Sequence, residues 1–362
     1  MIHSVDEWSP LQEVIVGNPI NANLPSLDLS FKIFFHDNIY NDLYGGDIYF
    51  SDNSYSKFLK KSHIKEHEED IDNFVKVLEG ENIKVRRPII MEKIQDFKTP
   101  HWKGVTVPAL NVRDQVLIID NQIIETAVQV RTRYFENDLL KPLFMEYFKE
   151  GARWICAPKP MLLDDSFDLS YIESKKDIDL TKYEKKKSHY DMGYEIFLDA
   201  AQCLRFGKNI VANVSNKNHL LGIKWLKQHL GSDFEIHICW LCDNHIDSAI
   251  MPLKEGSLLV NRNTVKDISV LPHFLHNWDI IDSPEPIETT SYDDDDLILA
   301  SKYIDVNVLS IDGDKIIVNG DYLPLIRLLE QKGFTPIPVR LRHKRLFAGG
   351  FHCITLDTVR ER

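Results

Sequence analysis

The chain has 362 residues, 43% of them hydrophobic and 27% charged, the balance of an ordinary globular protein rather than a disordered or fibrous one. Its formal net charge of −12 excludes a general nucleic-acid-binding role, which needs a basic face, but leaves room for a cationic substrate. No apolar run approaches the roughly 20 residues that span a bilayer, so no membrane role is expected. The first residues, Met1 to Trp8, lack the basic and apolar regions of a signal peptide. Five scattered cysteines (Cys156, Cys203, Cys239, Cys242, Cys353) read as reduced, and a cytoplasmic location is expected.

The length alone would argue for two domains. In chain order, Glu13–Val16 reads as a strand ended by Gly17, and residues 18–55 as a long irregular excursion rich in Asn, Asp and aromatics. Ser62–Glu79 has apolar residues at helical spacing among charges and predicts an amphipathic helix, followed by a strand at Ile83–Val85. Residues 89–113 read as a loop. Val116–Ile119 and Ile123–Thr126 flank Asp120-Asn121, a hairpin signal. A helix is predicted over 134–149, with Pro142 as a kink or a reset of its start, and a strand over Trp154–Ala157. Residues 164–189 are acidic and lysine-rich and read as an exposed, solvated loop.

The same order then recurs. Ile196–Leu198 and Asn209–Ala212 bracket Gly207, followed by a helix at Asn218–Leu230 and a strand at Phe234–Cys239. Ala249–Leu253 and Leu258–Val260 bracket Gly256, with a short helical segment at Pro272–Trp278. Val306–Ile311 and Lys315–Val318 pair across Asp312-Gly313, with a helix at Tyr322–Lys332 and a strand at Thr335–Val339. A fixed strand–strand–helix–strand unit is the mark of a radial or stacked architecture and favours one domain of repeated modules over two domains.

Four segments concentrate polar residues where a strand is expected to end: Asn111–Asp114, Leu198–Gln202, Asp243–Ser248 and the loop Gly349-Gly350-Phe351-His352-Cys353. Paired glycines let a backbone approach a ligand closely, which would set Cys353 at the mouth of a pocket. A thiolate attacks electrophiles when a base or cation is near, His245 can move a proton, and carboxylates at Asp114, Asp199 and Asp247 suit a guanidinium. Each piece also has a purely structural reading. Cys353 can be a packed thiol, Asp199 an N-cap, Asp114 a turn residue and His245 a satisfied polar side chain. Cys239-Trp240-Leu241-Cys242 has CxxC spacing but no second pair to complete a zinc set, and Asp293–Asp296 reads as a solvated acidic loop.

Together these segments resemble the arginine-dependent amidinotransferases. The resemblance begins at Glu7-Trp8-Ser9-Pro10-Leu11-Gln12-Glu13-Val14-Ile15-Val16-Gly17. It runs on through Arg113-Asp114, Arg131-Thr132-Arg133, Asp199-Ala200-Ala201, His245-Ile246-Asp247 and Gly349-Gly350-Phe351-His352-Cys353. It implies an α/β fold, a single domain over residues 1–362 shaped as an α/β-propeller (pentein) of five ββαβ modules around a pseudo-fivefold axis. It implies Cys353 as nucleophile, His245 as general acid/base and Asp199 as the carboxylate paired with it, with Asp114 and Asp247 holding the guanidino group. L-arginine would be the donor and a small-molecule amine the acceptor, with no metal or organic cofactor and, by family habit, a homodimer.

The sequence departs from the family at two positions. Thr264 stands nineteen residues after His245, where the glycine- and inosamine-phosphate-type enzymes have Arg, and the nearest arginine is Arg262. Asp305-Val306 stands where the glycine enzyme has paired serines. A carboxylate there disfavours glycine as acceptor. The expectation is a larger or amine-bearing acceptor facing Asp305, a donor held through Arg262, and a role in making a guanidino-containing natural product. The alternatives are a guanidino hydrolase of the same fold and a catalytically idle propeller used as a binding scaffold.

Overall fold

A computed structural model of the chain describes residues 1–23, 28–35, 59–170, 188–293 and 296–361. Its strands pair into three-stranded sheets of one design. A hairpin supplies an antiparallel pair, and the third strand returns parallel to the hairpin's second strand after a crossover. Strands β5 (Val116–Ile119), β6 (Gln122–Glu125) and β7 (Arg153–Cys156) form one such sheet. The next joins β8 (Cys203–Phe206), β9 (Asn209–Asn213) and β10 (Glu235–Cys239). Then come β11 (Ile250–Lys254), β12 (Ser257–Val260) and β13 (Asp279–Asp282), and β14 (Leu309–Ser310), β15 (Lys315–Asn319) and β16 (Thr335–Val339).

The remaining sheet of this design is built from both ends of the chain. Here β1 (Leu11–Val16) lies parallel to β2 (Lys84–Arg86) and antiparallel to β17 (Thr355–Arg360), with Val16 opposite Thr355. A two-stranded sheet of β3 (Asp96–Lys98) and β4 (Lys103–Val105) lies within the stretch expected to be loop.

The helices fill the crossovers. α2 (Lys61–Gly80) buries His67, Asp70, Ile71, Phe74 and Leu78, one face at the expected spacing. α4 (Lys217–Leu230) starts from an Asn216 cap that accepts the His219 amide and ends at Gly231, whose φ of 62° suits glycine. α5 spans Leu323–Gln331. The helix expected over 134–149 begins later. Arg131–Arg133 and Glu136–Leu139 are 3-10 turns, and α3 runs from Lys141 to Lys149 with Pro142 in its first turn, where a missing N–H costs nothing. The Pro272–Trp278 segment yields only a 3-10 turn at His273–Leu275.

Four further expectations change. Ile196–Leu198 is not a strand: the antiparallel partner of β9 is Cys203–Phe206, all four residues buried around Arg205. Of Val306–Ile311 only Leu309–Ser310 pairs, because Ser301 caps a 3-10 turn over Lys302–Val306. The start of the 164–189 segment is buried, with Asp164 accepting from Arg131 at 2.6 Å; residues 171–187 lie outside the described residues. Within 18–55, Leu29–Phe34 forms a helix, α1, capped by Asp28, and residues 36–58 lie outside the description. Among the described residues no helix is long and apolar enough to cross a membrane.

The N-terminal residues tie the sheets together. Ser4 bridges to Asp120 at the β5–β6 turn and Asp6 to Phe206 on β8. Beneath them lies a buried charge cluster. Arg205 donates to Glu7 at 2.8 and 2.6 Å and to Asp357 at 2.7 Å, Arg113 also pairs with both carboxylates, and Arg360 donates to Asp357. Paired and hydrogen-bonded this fully, buried charges are tolerated; removing one partner costs on the order of 3–5 kcal/mol.

Candidate active site

The place the polar segments share is not the end of a strand, although Asp243–Ser248 comes soon after β10. They lie just before the first strand of a sheet: Asp114 before β5, Asp199 before β8, His245 and Asp247 before β11, Asn307 before β14 and Cys353 before β17. Equivalent places in successive sheets thus point their side chains at one another. Asp199 caps the 3-10 turn Ala200–Gln202, its backbone N–H donating to the Gln202 side chain at 2.8 Å. The cap fixes the backbone and leaves one carboxylate oxygen to Gln129 and His245.

Cys353 is 2% exposed, and its Sγ lies 3.5 Å from Asp247 Oδ2. Asn307 clamps the loop: its Oδ1 accepts the Cys353 amide at 2.9 Å, its carbonyl accepts the His352 amide and its side chain donates to the Asp247 carbonyl. A Cβ on Gly350 would meet Asn307 side-chain and backbone atoms at 2.7–2.9 Å, and one on Gly349 would meet Asn111 Oδ1 at 2.3 Å. The paired glycines are therefore required by close approach. Behind the loop, α2 offers His67 to stack on Phe347, ring centroids 4.1 Å apart, and Phe74 to pack on Phe351. Its Asp70 holds Arg342.

His245 Nε2 lies 3.0 Å from Asp199 Oδ2, and its Nδ1 3.6 Å from Asp114 Oδ1. Gln129 donates to the same Asp199 oxygen and also contacts His219. Arg133 reaches Asp114 at 2.6 Å and Glu136 at 2.6 and 2.9 Å. Burial opposes a charged His245, but Asp114 and Asp199 outweigh it and raise the ring to about 9. Burial also works against the Asp199 and Asp247 charges, yet His245 holds the first below the usual carboxylate range and His352 the second. Asp114 is pushed up by burial despite His245 and Arg133. Burial, then Asp247 and Asp114, hold the Cys353 thiol well above its ordinary value.

Asp114 Oδ1, Asp199 Oδ1 and Asp247 Oδ1 are buried and make no hydrogen bond. Such oxygens are costly unless something supplies donors, and a planar guanidinium supplies five. Cys353, His245 and Asp247 line a cavity of about 570 Å³, walled further by Asn263, Thr264 and Tyr303. A smaller compartment beside His245 is lined by Asp114, Phe31 and Phe347.

The structure brings Cys353, His245, Asp199, Asp114 and Asp247 together. It does not bring in Arg262 or Asp305. Arg262 pairs with Asp282 at 2.7 Å toward solvent, although its neighbours Asn263 and Thr264 line the cavity. Asp305 is 7% exposed and held by Lys344 at 3.2 Å, so its charge is already met. Asn307 and Gln129 carry no signal in the sequence, being amides whose work depends entirely on what folds against them. In the CxxC segment, Cys239 donates to the Ala212 carbonyl and Cys242 to the His245 carbonyl. Among the described residues no group of three or more His, Cys, Asp or Glu is placed to hold a metal ion.

No family model matches the chain. The inosamine-phosphate amidinotransferase 1 of Streptomyces griseus is 34% identical over 357 residues, 98% of this chain and 96% of that one. The solved structure of that species' inosamine-phosphate amidinotransferase is similar with a TM-score of 0.85, covering 100% of this chain and 97% of the other at 32% identity. An L-arginine:L-lysine amidinotransferase of Pseudomonas savastanoi pv. phaseolicola is 32% identical over 361 residues, 98% of this chain and 93% of its own. The solved amidinotransferase of the saxitoxin pathway of Microseira wollei gives a TM-score of 0.81 at 33% identity, covering 100% and 98% of the two chains. With near-complete coverage at this identity, and with a thiol, an imidazole and three carboxylates gathered in one buried cluster, the chain belongs to the amidinotransferases.

Proposed function

We propose that this protein transfers the amidino group of L-arginine to a small-molecule amine through a covalent intermediate on Cys353, with no metal or organic cofactor. The observation that carries the reading is the set of three unbonded carboxylate oxygens around the thiol and the raised imidazole. The donor guanidinium sits between Asp114 and Asp247, and its positive charge offsets the burial and the carboxylates that hold the thiol protonated. The thiol proton leaves to solvent as the donor enters.

Cys353 Sγ then attacks the guanidinium carbon and the C–S bond forms. The C–N bond to the ornithine portion breaks as His245, held protonated by Asp199 and Asp114, gives its proton to the departing amine. Ornithine leaves and an amidino-thioester remains. The acceptor amine gives a proton to the now neutral His245 and attacks the same carbon; the C–S bond breaks and the thiolate returns. Asn263, Thr264 and Tyr303 on the cavity wall offer neutral donors to the donor carboxylate, in place of the family Arg.

The acceptor is an amine of a natural-product pathway, as the saxitoxin-pathway relative supports. The repeated sheet design supports a single domain of five modules set around one axis as a propeller, and family habit supports a homodimer. Incubation with arginine and a panel of amines tests the reading, with ornithine and guanidinylated products read by mass. Cys353→Ser should abolish both. Citrulline formed without an amine would instead make the protein a hydrolase.

A further inference from the structure

Asp247 lines the cavity and leaves Oδ1 buried and unbonded, while its other oxygen is held from behind. His352, next to Cys353 in the chain, is 1% exposed. Its Nδ1 lies 2.8 Å from Asp247 Oδ2 and its Nε2 3.2 Å from Glu7 Oε2. Ionised carboxylates only accept, and His352 is the ring set between these two. Glu7 is itself fixed by Arg205 and Arg113 in the charge cluster. The Cys353 thiol meets the same Asp247 oxygen.

We propose that His352 is a positioning residue for the donor site: it ties Asp247 to the charge cluster through Glu7, aims Oδ1 at the guanidinium and supplies the positive charge opposite it. The proposal rests on the donor-binding role given above to Asp247. The groups facing Asp247 divide in sign. His352 and His245 favour its charge, with Asn307 donating, while burial, Asp114 and the Cys353 thiolate of the reaction oppose it. Without His352 the carboxylate gains a proton more readily, so its ionised fraction is lost first on the acid side and recovered as pH rises.

His352→Asn can keep an amide donor near the Nδ1 position while removing the charge. The arginine KM at pH 6 should rise about tenfold or more, and the acid limb of kcat/KM for ornithine release should move up by about one unit, with most of the loss restored at high pH. A residue that merely fills space would lower activity by one factor at every pH, and an unmoved limb overturns the proposal. The same change in an Asp247→Asn background should cost less than about twofold, and a full additive cost would also overturn it. Should the variant fail to fold, histidine-labelled wild-type protein decides by NMR. Two slowly exchanging ring N–H protons on His352 are expected, and one or none refutes the bridge. If the wild-type chain turns over arginine and the limb stays put, His352 alone is misassigned; if it never releases ornithine, the functional reading itself has failed.

Discussion

His245 keeps its proton to about pH 9 because two buried carboxylates face its two ring nitrogens, against the cost of burying the charge. A raised pKa means that the acid form is present below that value and lost above it. The donor half-reaction should therefore hold its rate through neutral pH and fall on an alkaline limb near 9. Asp199→Asn removes one of the two charges, and that limb should drop by about one unit or more in ornithine-release profiles. Arg262→Ala should change the arginine KM by less than about twofold, because an exposed pair of this kind contributes little and Arg262 does not line the cavity. Residues with reactive chemistry were legible in the sequence: Cys353, His245 and the three aspartates stand in spaced motifs. Whether Arg262 or Asp305 turns toward the cavity was not legible, since Asp282 and Lys344, the residues that claim them, are remote in sequence.

Hairpin turns were the most legible features, because they carry residues suited to positive φ: Asp120 at 53°, Gly207 at 68°, Gly256 at 82° and Gly313 at 81°, although the strand leading into Gly207 was expected at Ile196–Leu198 instead of β8. β8 and β17 escaped notice because hydrophobic patterning assumes that charges face water. Arg205, Asp357 and Arg360 are instead buried in the cluster, and the strands that carry them do not look like core. Close approach makes its own prediction at Gly350. An added methyl meets the backbone as well as the side chain of Asn307, so the Cys353 loop must shift. Gly350→Ala should cut kcat/KM about a hundredfold, the penalty of an ångström-scale misplacement of a reacting group, while circular dichroism stays native.

Across the whole molecule, the cluster of Glu7, Asp357, Arg113, Arg205 and Arg360 joins the N-terminal segment, the approach to β5, β8 and β17. Arg205→Leu leaves two buried carboxylates short of a partner and should cost on the order of 3–5 kcal/mol in urea unfolding. Burial opposes the charges on Glu7 and Asp357, but the arginines hold both carboxyls far below their ordinary values. Their contribution to stability is thus present at neutral pH and is lost as pH falls below about 4.5 toward the folded-state values. The urea midpoint should fall between pH 5 and pH 3, and fall less in Arg205→Leu.

The pairing of β1 with β17 also sets an order in time. On the ribosome, β1 emerges long before β17 and has one edge open until that strand follows. The nucleophile emerges two positions ahead of the strand that closes that edge. A nascent chain that has emerged only as far as Phe351 would hold the imidazole and every carboxylate of the site yet lack the thiol, so the ability to attack an electrophile is the last part of the site to be acquired.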